Sequence, residues 1–229
     1  MRTLSLLLAL GILLAAPAPA PAAAPCPDSH AQLVGFNSLF AVSAATFDST
    51  YLSSEVAFDL PAGTLQVSRG VGGVNWTRSI ATDAYDVTGV APGTALTLTA
   101  ALDVNGYVTS PGCGGSGCGG YFQASITEGA NSNQQQVTFP DPFAGGQADM
   151  VQTLVLPITI TAGTPTTIAF ELAVFVPAGG NAGGAGTGVI HFTGLPAGAQ
   201  VVSCQGFGTG GGPTPARASS WGSLKTHHR

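Results

Sequence analysis

Charge is what this chain has least of. Of its 229 residues, only 6 are Lys or Arg and 11 are Asp or Glu. So few cations leave no basic stripe to neutralise phosphates, which argues against nucleic acid as a partner. Large aromatics are also scarce, with 2 Trp and 4 Tyr. No long apolar run follows the first two dozen residues, so the mature chain has no candidate transmembrane helix. No segment between residues 26 and 205 places apolar side chains at helical spacing. Disorder does not explain the low charge, because apolar β-forming residues recur throughout.

The first 22 residues read MRTLSLLLALGILLAAPAPAPA. One basic residue, a short apolar run and a stretch of small residues are the three parts of a secretory signal peptide. Residues 1–22 are therefore expected to be removed, with Ala23 as the new first residue. Loss of Arg2 leaves 5 basic against 11 acidic side chains, a net charge of −6 with His neutral. The expected location is secreted or at the cell surface, and the surface itself must be built largely from Thr, Ser, Gly, Ala, Asn and Gln.

Beyond the leader the sequence has a period of two. In TALTLTAALDVNGYV, Leu96, Leu98, Ala100, Leu102 and Val104 alternate with Thr97, Thr99, Ala101 and Asp103. Alternate side chains of a strand face opposite sides, so one face is apolar and the other small or polar. Asn105-Gly106 has the residue types of a tight hairpin turn, which is expected there. In TTIAFELAVFV, Ile168, Phe170, Leu172, Val174 and Val176 share one face, while the opposite face is only half polar. Shorter strands are expected near 32–36, 39–47, 51–59, 64–69, 73–80, 84–88, 121–127, 134–139, 150–155, 157–161, 188–193 and 199–204. Pro and Gly punctuate between them, including the whole of 177–186. Many short strands with such turns predict an all-β fold, a two-sheet antiparallel β-sandwich resembling a jelly roll, over residues 26–205. Residues 206–218 read as a Gly/Pro linker, and residues 219–229 as a short basic tail that could serve as a sorting tag.

Four cysteines in an exported chain point to disulfides. Cys113 and Cys118 lie in the glycine loop SPGCGGSGCGGY, which bends back easily, and are expected to pair. Cys26 then pairs with Cys204 and closes nearly the whole domain. A structural zinc site would need two close ligand pairs, and only one is present. The two GxGxxG matches, from Gly112 and from Gly206, do not lead from a strand into a helix, so they carry no nucleotide reading. No cofactor is implied.

Hydrolytic chemistry finds little footing. Glu55 and Asp59 share a strand face in YLSSEVAFDL, with Tyr51 expected beside them, but the middle acid of an E-x-D-x-E glucanase strand is absent because position 57 is Ala. Asp83 with Asp86, Asp103 with Asn105, and Asp141 with Asp149 read as turn residues rather than a calcium cage. His191 lies on an expected strand as a structural, hydrogen-bonded side chain. No catalytic or metal-binding residue is assigned. The expected function is that of a non-enzymatic structural or interaction protein. Its partners would be extracellular polysaccharide or other envelope proteins. A glycan-binding module is the alternative, with Tyr51, Glu55, Trp76, Tyr107 and Tyr121 as candidate contacts, and a glycoside hydrolase comes third.

Two stretches, LPITITAGTPTTIAFELAVFVPAGG and GVIHFTGLPAGAQVVSCQGF, together resemble exported bacterial β-sandwich proteins found with PEP-CTERM-type sorting tails. The resemblance covers roughly residues 151–207. It implies envelope or matrix material, and it supplies no functional residue. The chain departs from that pattern at its end, which has neither Pro-Glu-Pro nor an apolar terminal helix.

Overall fold

The computed structural model describes residues 26–32, 40–42, 44–70, 75–110, 119–138, 145–177 and 182–208. The leader, the proposed Cys113–Cys118 pair, Asp141, and the linker and tail from residue 209 onward lie outside the described residues. The strands are β1 (Ser29–Gln32), β2 (Phe40–Val42), β3 (Thr46–Tyr51), β4 (Ser54–Asp59), β5 (Thr64–Arg69), β6 (Trp76–Thr88), β7 (Ala95–Ser110), β8 (Tyr121–Glu128), β9 (Asn131–Thr138), β10 (Gly146–Thr161), β11 (Thr166–Phe175), β12 (Gly183–Thr193) and β13 (Gln200–Ser203).

They form two antiparallel sheets. Sheet A has the order β2-β1-β6-β11-β8-β9, with β13 also paired to β6, and sheet B has the order β10-β7-β12-β5-β4-β3. The links β2–β3, β5–β6, β6–β7, β7–β8, β9–β10, β10–β11, β11–β12 and β12–β13 each carry the chain from one sheet to the other. That wrapping is the jelly-roll form of the sandwich. The core is the apolar layer between the sheets. Leu98, Leu102 and Val104 of β7 and Leu154, Ile158 and Ile160 of β10 meet Ile168, Phe170, Leu172 and Val174 of β11 and Phe122 and Ile126 of β8. The alternation that defined the strands is the same alternation that fills this layer.

Several expected boundaries move. The Asn105-Gly106 turn does not form. β7 runs straight through it, with Asn105 opposite Val151 and Thr187, and Gly106 opposite Met150 and Gly186. The glycine serves packing instead. Gly106 and Gly186 are register partners, and a β-carbon at either would overlap the fully buried ring of Phe122 on the facing sheet. The glycine-rich stretch expected to be loop through Gly186 is likewise strand from Gly183, where Gly183, Gly184, Gly186 and Gly188 are all buried.

The two short strands expected at 73–80 and 84–88 are one strand, β6, and those at 150–155 and 157–161 are also one, β10. Pro157 is tolerated because β10 is an edge. Conversely, the strand expected over 51–59 is broken by a turn at Leu52-Ser53, both with positive φ, at 44° and 59°. Neither residue type announces such a turn. The aspartates expected in turns also lie in strands: Asp83 and Asp86 in β6, Asp103 in β7 and Asp149 in β10.

The first and last described strands meet on one edge of β6. β1 pairs with Arg78–Ile80 and β13 with Tyr85–Thr88, so the terminal strands lie end to end. The Cys26–Cys204 disulfide joins them, with Cα atoms 5.6 Å apart, as the sequence led one to expect. The gap between the strands is filled by Asp83, which is fully buried. Its carboxylate accepts hydrogen bonds from the Ala84 N–H at 2.8 Å, the Gln205 N–H at 3.1 Å and the Ser203 hydroxyl. Gln205 in turn donates from Nε2 to the Pro27 carbonyl at 2.7 Å.

A bridge spanning 178 positions in sequence contributes at most about 5 kcal/mol through chain entropy. Replacing Cys26 and Cys204 together by Ala is therefore expected to lower the unfolding free energy by about 2–5 kcal/mol, measured by urea denaturation of the oxidised protein. An unchanged midpoint would show that the bridge constrains nothing.

Candidate functional site

The residues with side chains on the outer face of sheet A build the most chemically varied patch in the described structure. Trp76 on β6 pairs with Phe175 on β11, and Phe175 pairs with Tyr121 on β8. The three rings therefore form one row across three strands. Phe175 lies 4.7 Å from Trp76 and 5.2 Å from Tyr121, centroid to centroid, and Trp76 meets Tyr121 edge-on at 5.7 Å. The next row is Arg78, Ala173, Gln123 and Gln136, and the row after that is Ile80, Glu171, Ser125 and Gln134. Ala173 is fully buried although its side chain points outward. Glu171 and Ser125 in the next row are nearly as buried.

One ion pair links these two rows. Arg78 donates from Nε to Glu171 Oε1 at 2.8 Å, and its Nη2 lies 2.7 Å from the same oxygen. The guanidinium also sits 5.5 Å over the Trp76 ring, a cation–π contact that fixes its plane. Glu171 is almost wholly buried. Burial pushes its carboxyl above the usual range, opposed in part by Arg78. A wall of tilted aromatic rings, a guanidinium–carboxylate pair and glutamine amides can together hydrogen-bond and stack a polyhydroxylated ligand.

Of the sequence-expected contacts, the structure brings Trp76 and Tyr121 together and separates the others. Tyr107 and Glu55 lie on the outer face of sheet B, in the row Thr50–Glu55–Ser68–Ala185–Tyr107–Asp149. Three strand spacings, about 14 Å, divide them. Tyr51 does not share a face with Glu55. It pairs with Ser54, whose side chain is buried, and so points to the opposite side of the sheet. The turn at Leu52-Ser53 is what reverses its parity. Glu55 accepts a hydrogen bond from Gln66 at 3.0 Å, while Asp59 accepts one from the Ala62 N–H at 2.9 Å and so caps the β4–β5 turn. Four positions along one strand separate their backbones by about 13 Å, wider than the carboxyl spacing of a glycosidase pair.

The outer face of sheet B carries Asp48, Glu55, Asp59, Asp103 and Asp149 and, among the described residues, no Lys or Arg. Asp103 accepts a hydrogen bond from Thr153, and its second oxygen lies 3.4 Å from His191 Nδ1. Among the described residues no group of three His, Cys, Asp or Glu converges to hold a metal ion, and no helix is long and apolar enough to cross a membrane.

Phe175, Arg78 and Glu171 were missed from sequence. The available signal was the half-polar outward face of β11, where a Phe and a Glu stand among alanines. Comparison with family models and with curated proteins finds no match to this chain.

Three carboxyls have raised pKa values: Glu171 and Asp83 by burial, and Glu55 by burial and then by the Asp48 charge. A carboxyl whose pKa is higher in the folded state binds its proton more tightly there. Its favourable contribution is full below the unfolded-state value near 4 and is lost as pH rises through the raised folded value. The thermal midpoint is therefore expected to rise as pH is lowered from 7 towards 5. Arg78→Ala, which strips Glu171 of its counter-charge, should steepen that trend. Scanning calorimetry across this range checks both, and a midpoint that falls steadily on acidification would contradict them.

Proposed function

We propose that this chain is an exported, non-enzymatic structural or interaction protein working outside the cell or at its surface. The observation that supports the exported part of the reading is the Cys26–Cys204 bridge, a bond that persists in oxidising compartments, together with the signal-peptide pattern of residues 1–22. The sorting-tail resemblance adds to it, with residues 206–218 as tether and 219–229 as tag. Fractionation of cells expressing the full chain, with intact-mass analysis, tests this. The expected product lies outside the cytosol, starts near Ala23 and retains its bridge. A cytosolic, reduced protein with its leader intact would overturn it. Truncation after Gly212 should change the surface-held fraction if the tail is an address.

A second reading has its own support: glycan binding at the patch of Trp76, Arg78, Tyr121, Glu171 and Phe175. Its ligand would be a neutral polysaccharide. Arg78 is already neutralised by Glu171, and the chain as a whole is acidic. Affinity electrophoresis against a panel of soluble neutral glycans should show retardation that Trp76→Ala abolishes and Tyr107→Ala leaves intact. Equal loss in both variants, or no retardation with any glycan, removes this reading.

A further inference from the structure

The sandwich has five strand edges among the described residues, and they are not equally defended. β2 is only three residues long. β13 is only four residues long and is tied down by the neighbouring disulfide. β3 carries Asp48 and ends in the tight turn at Leu52-Ser53. β10 is long but guarded: Asn133 donates from Nδ2 to the Val155 carbonyl at 2.9 Å, Pro157 has no N–H to offer, and Asp149 supplies charge. Charge, proline and capping side chains are the devices by which proteins keep sheet edges from pairing.

β9 has none of these. Its sequence, NSNQQQVT, holds no charged residue and no proline. All eight of its residues pair with β8 on one side, and among the described residues no strand of sheet A follows it on the other, although β10 of sheet B lies near enough to accept the Asn133 hydrogen bond. Six of the eight are exposed: Asn131, Ser132, Gln134, Gln135, Gln136 and Thr138. Only Val137 contributes an apolar side chain packed against the core. Asn133 is already used on the β10 edge, but the exposed residues of β9 meet no demand of the core.

We propose that β9 is a self-association edge, and that two copies of this chain join sheet A to sheet A through antiparallel β9–β9 pairing about a two-fold axis at Gln134. That axis places Gln134 opposite its own copy, Ser132 opposite Gln136, and Asn133 opposite Gln135. Side chains that face one another then stay on the same side of the joined sheet, and Asn and Gln amides ladder across it. Two-fold pairing sets every residue against an equivalent surface, so a charged edge in this acidic chain would oppose like with like. β9 is neutral and avoids that, whereas the same operation on β3 or β10 would bring two aspartates into the seam. Eight residues of strand pairing make a smaller contact than a standard stable interface, so the pairing is weak in dilute solution and gains when copies are concentrated on a surface. Gln134 and Gln136 also border the Trp76 patch, so the two readings share those side chains and differ in their tests.

Sedimentation velocity of the oxidised protein over a wide concentration series tests it. A monomer–dimer equilibrium is expected, strengthened by added salt because screening relieves the repulsion between two acidic bodies. Gln134→Lys sets two cations opposite each other at the axis and should weaken association by about tenfold. Gln134→Glu should do the same, and Asp149→Asn on the guarded edge should not. Circular dichroism confirms that each variant is folded. A pure monomer at every concentration, or a dimer that neither Gln134 variant weakens, overturns the proposal, and neither result touches the export reading.

Discussion

One aromatic ring sets how the two sheets face each other. Phe122 rises from β8 into the space where β7 and β12 would carry side chains, and it fits because both supply glycine there, Gly106 and Gly186, side by side in the ladder. Interiors pack at crystal-like density, so a ring filling a two-glycine notch tolerates little sliding. A shift of one residue in β12 against β7 would replace Gly186 with Ala185 or Thr187 and turn the strand's faces over. The notch thus fixes register in sheet B. Through β8 and its partner β11 it also fixes the height of sheet A above it, and with that the row of Trp76, Phe175 and Tyr121 on the far side.

The second constraint is the closure of the chain. Both terminal strands use the same edge of β6, and neither is long enough to hold there by itself. The disulfide lowers the entropy of the unfolded chain, while Asp83 and Gln205 supply the directional bonds that hold Ser203, the Gln205 backbone and Pro27 in place. Burying a carboxylate without a cation beside it carries a cost, visible as the raised pKa of Asp83. Three hydrogen bonds offset that cost and do not remove it.

How much of this was legible in the sequence follows from which signals are local. The period of two announced the strands and the inner faces of β7 and β11, because alternation is a property of one strand alone. The Cys26–Cys204 pairing was legible only by first assigning Cys113 to Cys118 in their glycine loop, because four cysteines allow three pairings. The Asn105-Gly106 turn failed because a glycine needed for an approach across the sandwich looks the same, in one strand, as a glycine needed for a hairpin. The break at Leu52-Ser53 failed for the opposite reason: neither residue favours positive φ, and pairing of β3 with β4 imposes it. The site fared similarly. Trp76 and Tyr121 were visible as rare aromatics, but their meeting depends on the β6-β11-β8 order, which no local pattern encodes. Arg78 and Glu171 lie 93 positions apart and met only once that order was known.

The most direct measurement of the central constraint is a double-mutant cycle between Gly186→Ala and Phe122→Ala, read by urea denaturation. A methyl group at position 186 should cost about 1–3 kcal/mol while the ring is present. It should cost close to nothing once Phe122 is truncated, a coupling of more than about 1 kcal/mol between residues on different sheets. If the two substitutions are instead additive within about 0.5 kcal/mol, Phe122 does not occupy the notch, and the account of how the sheets are held in register is wrong.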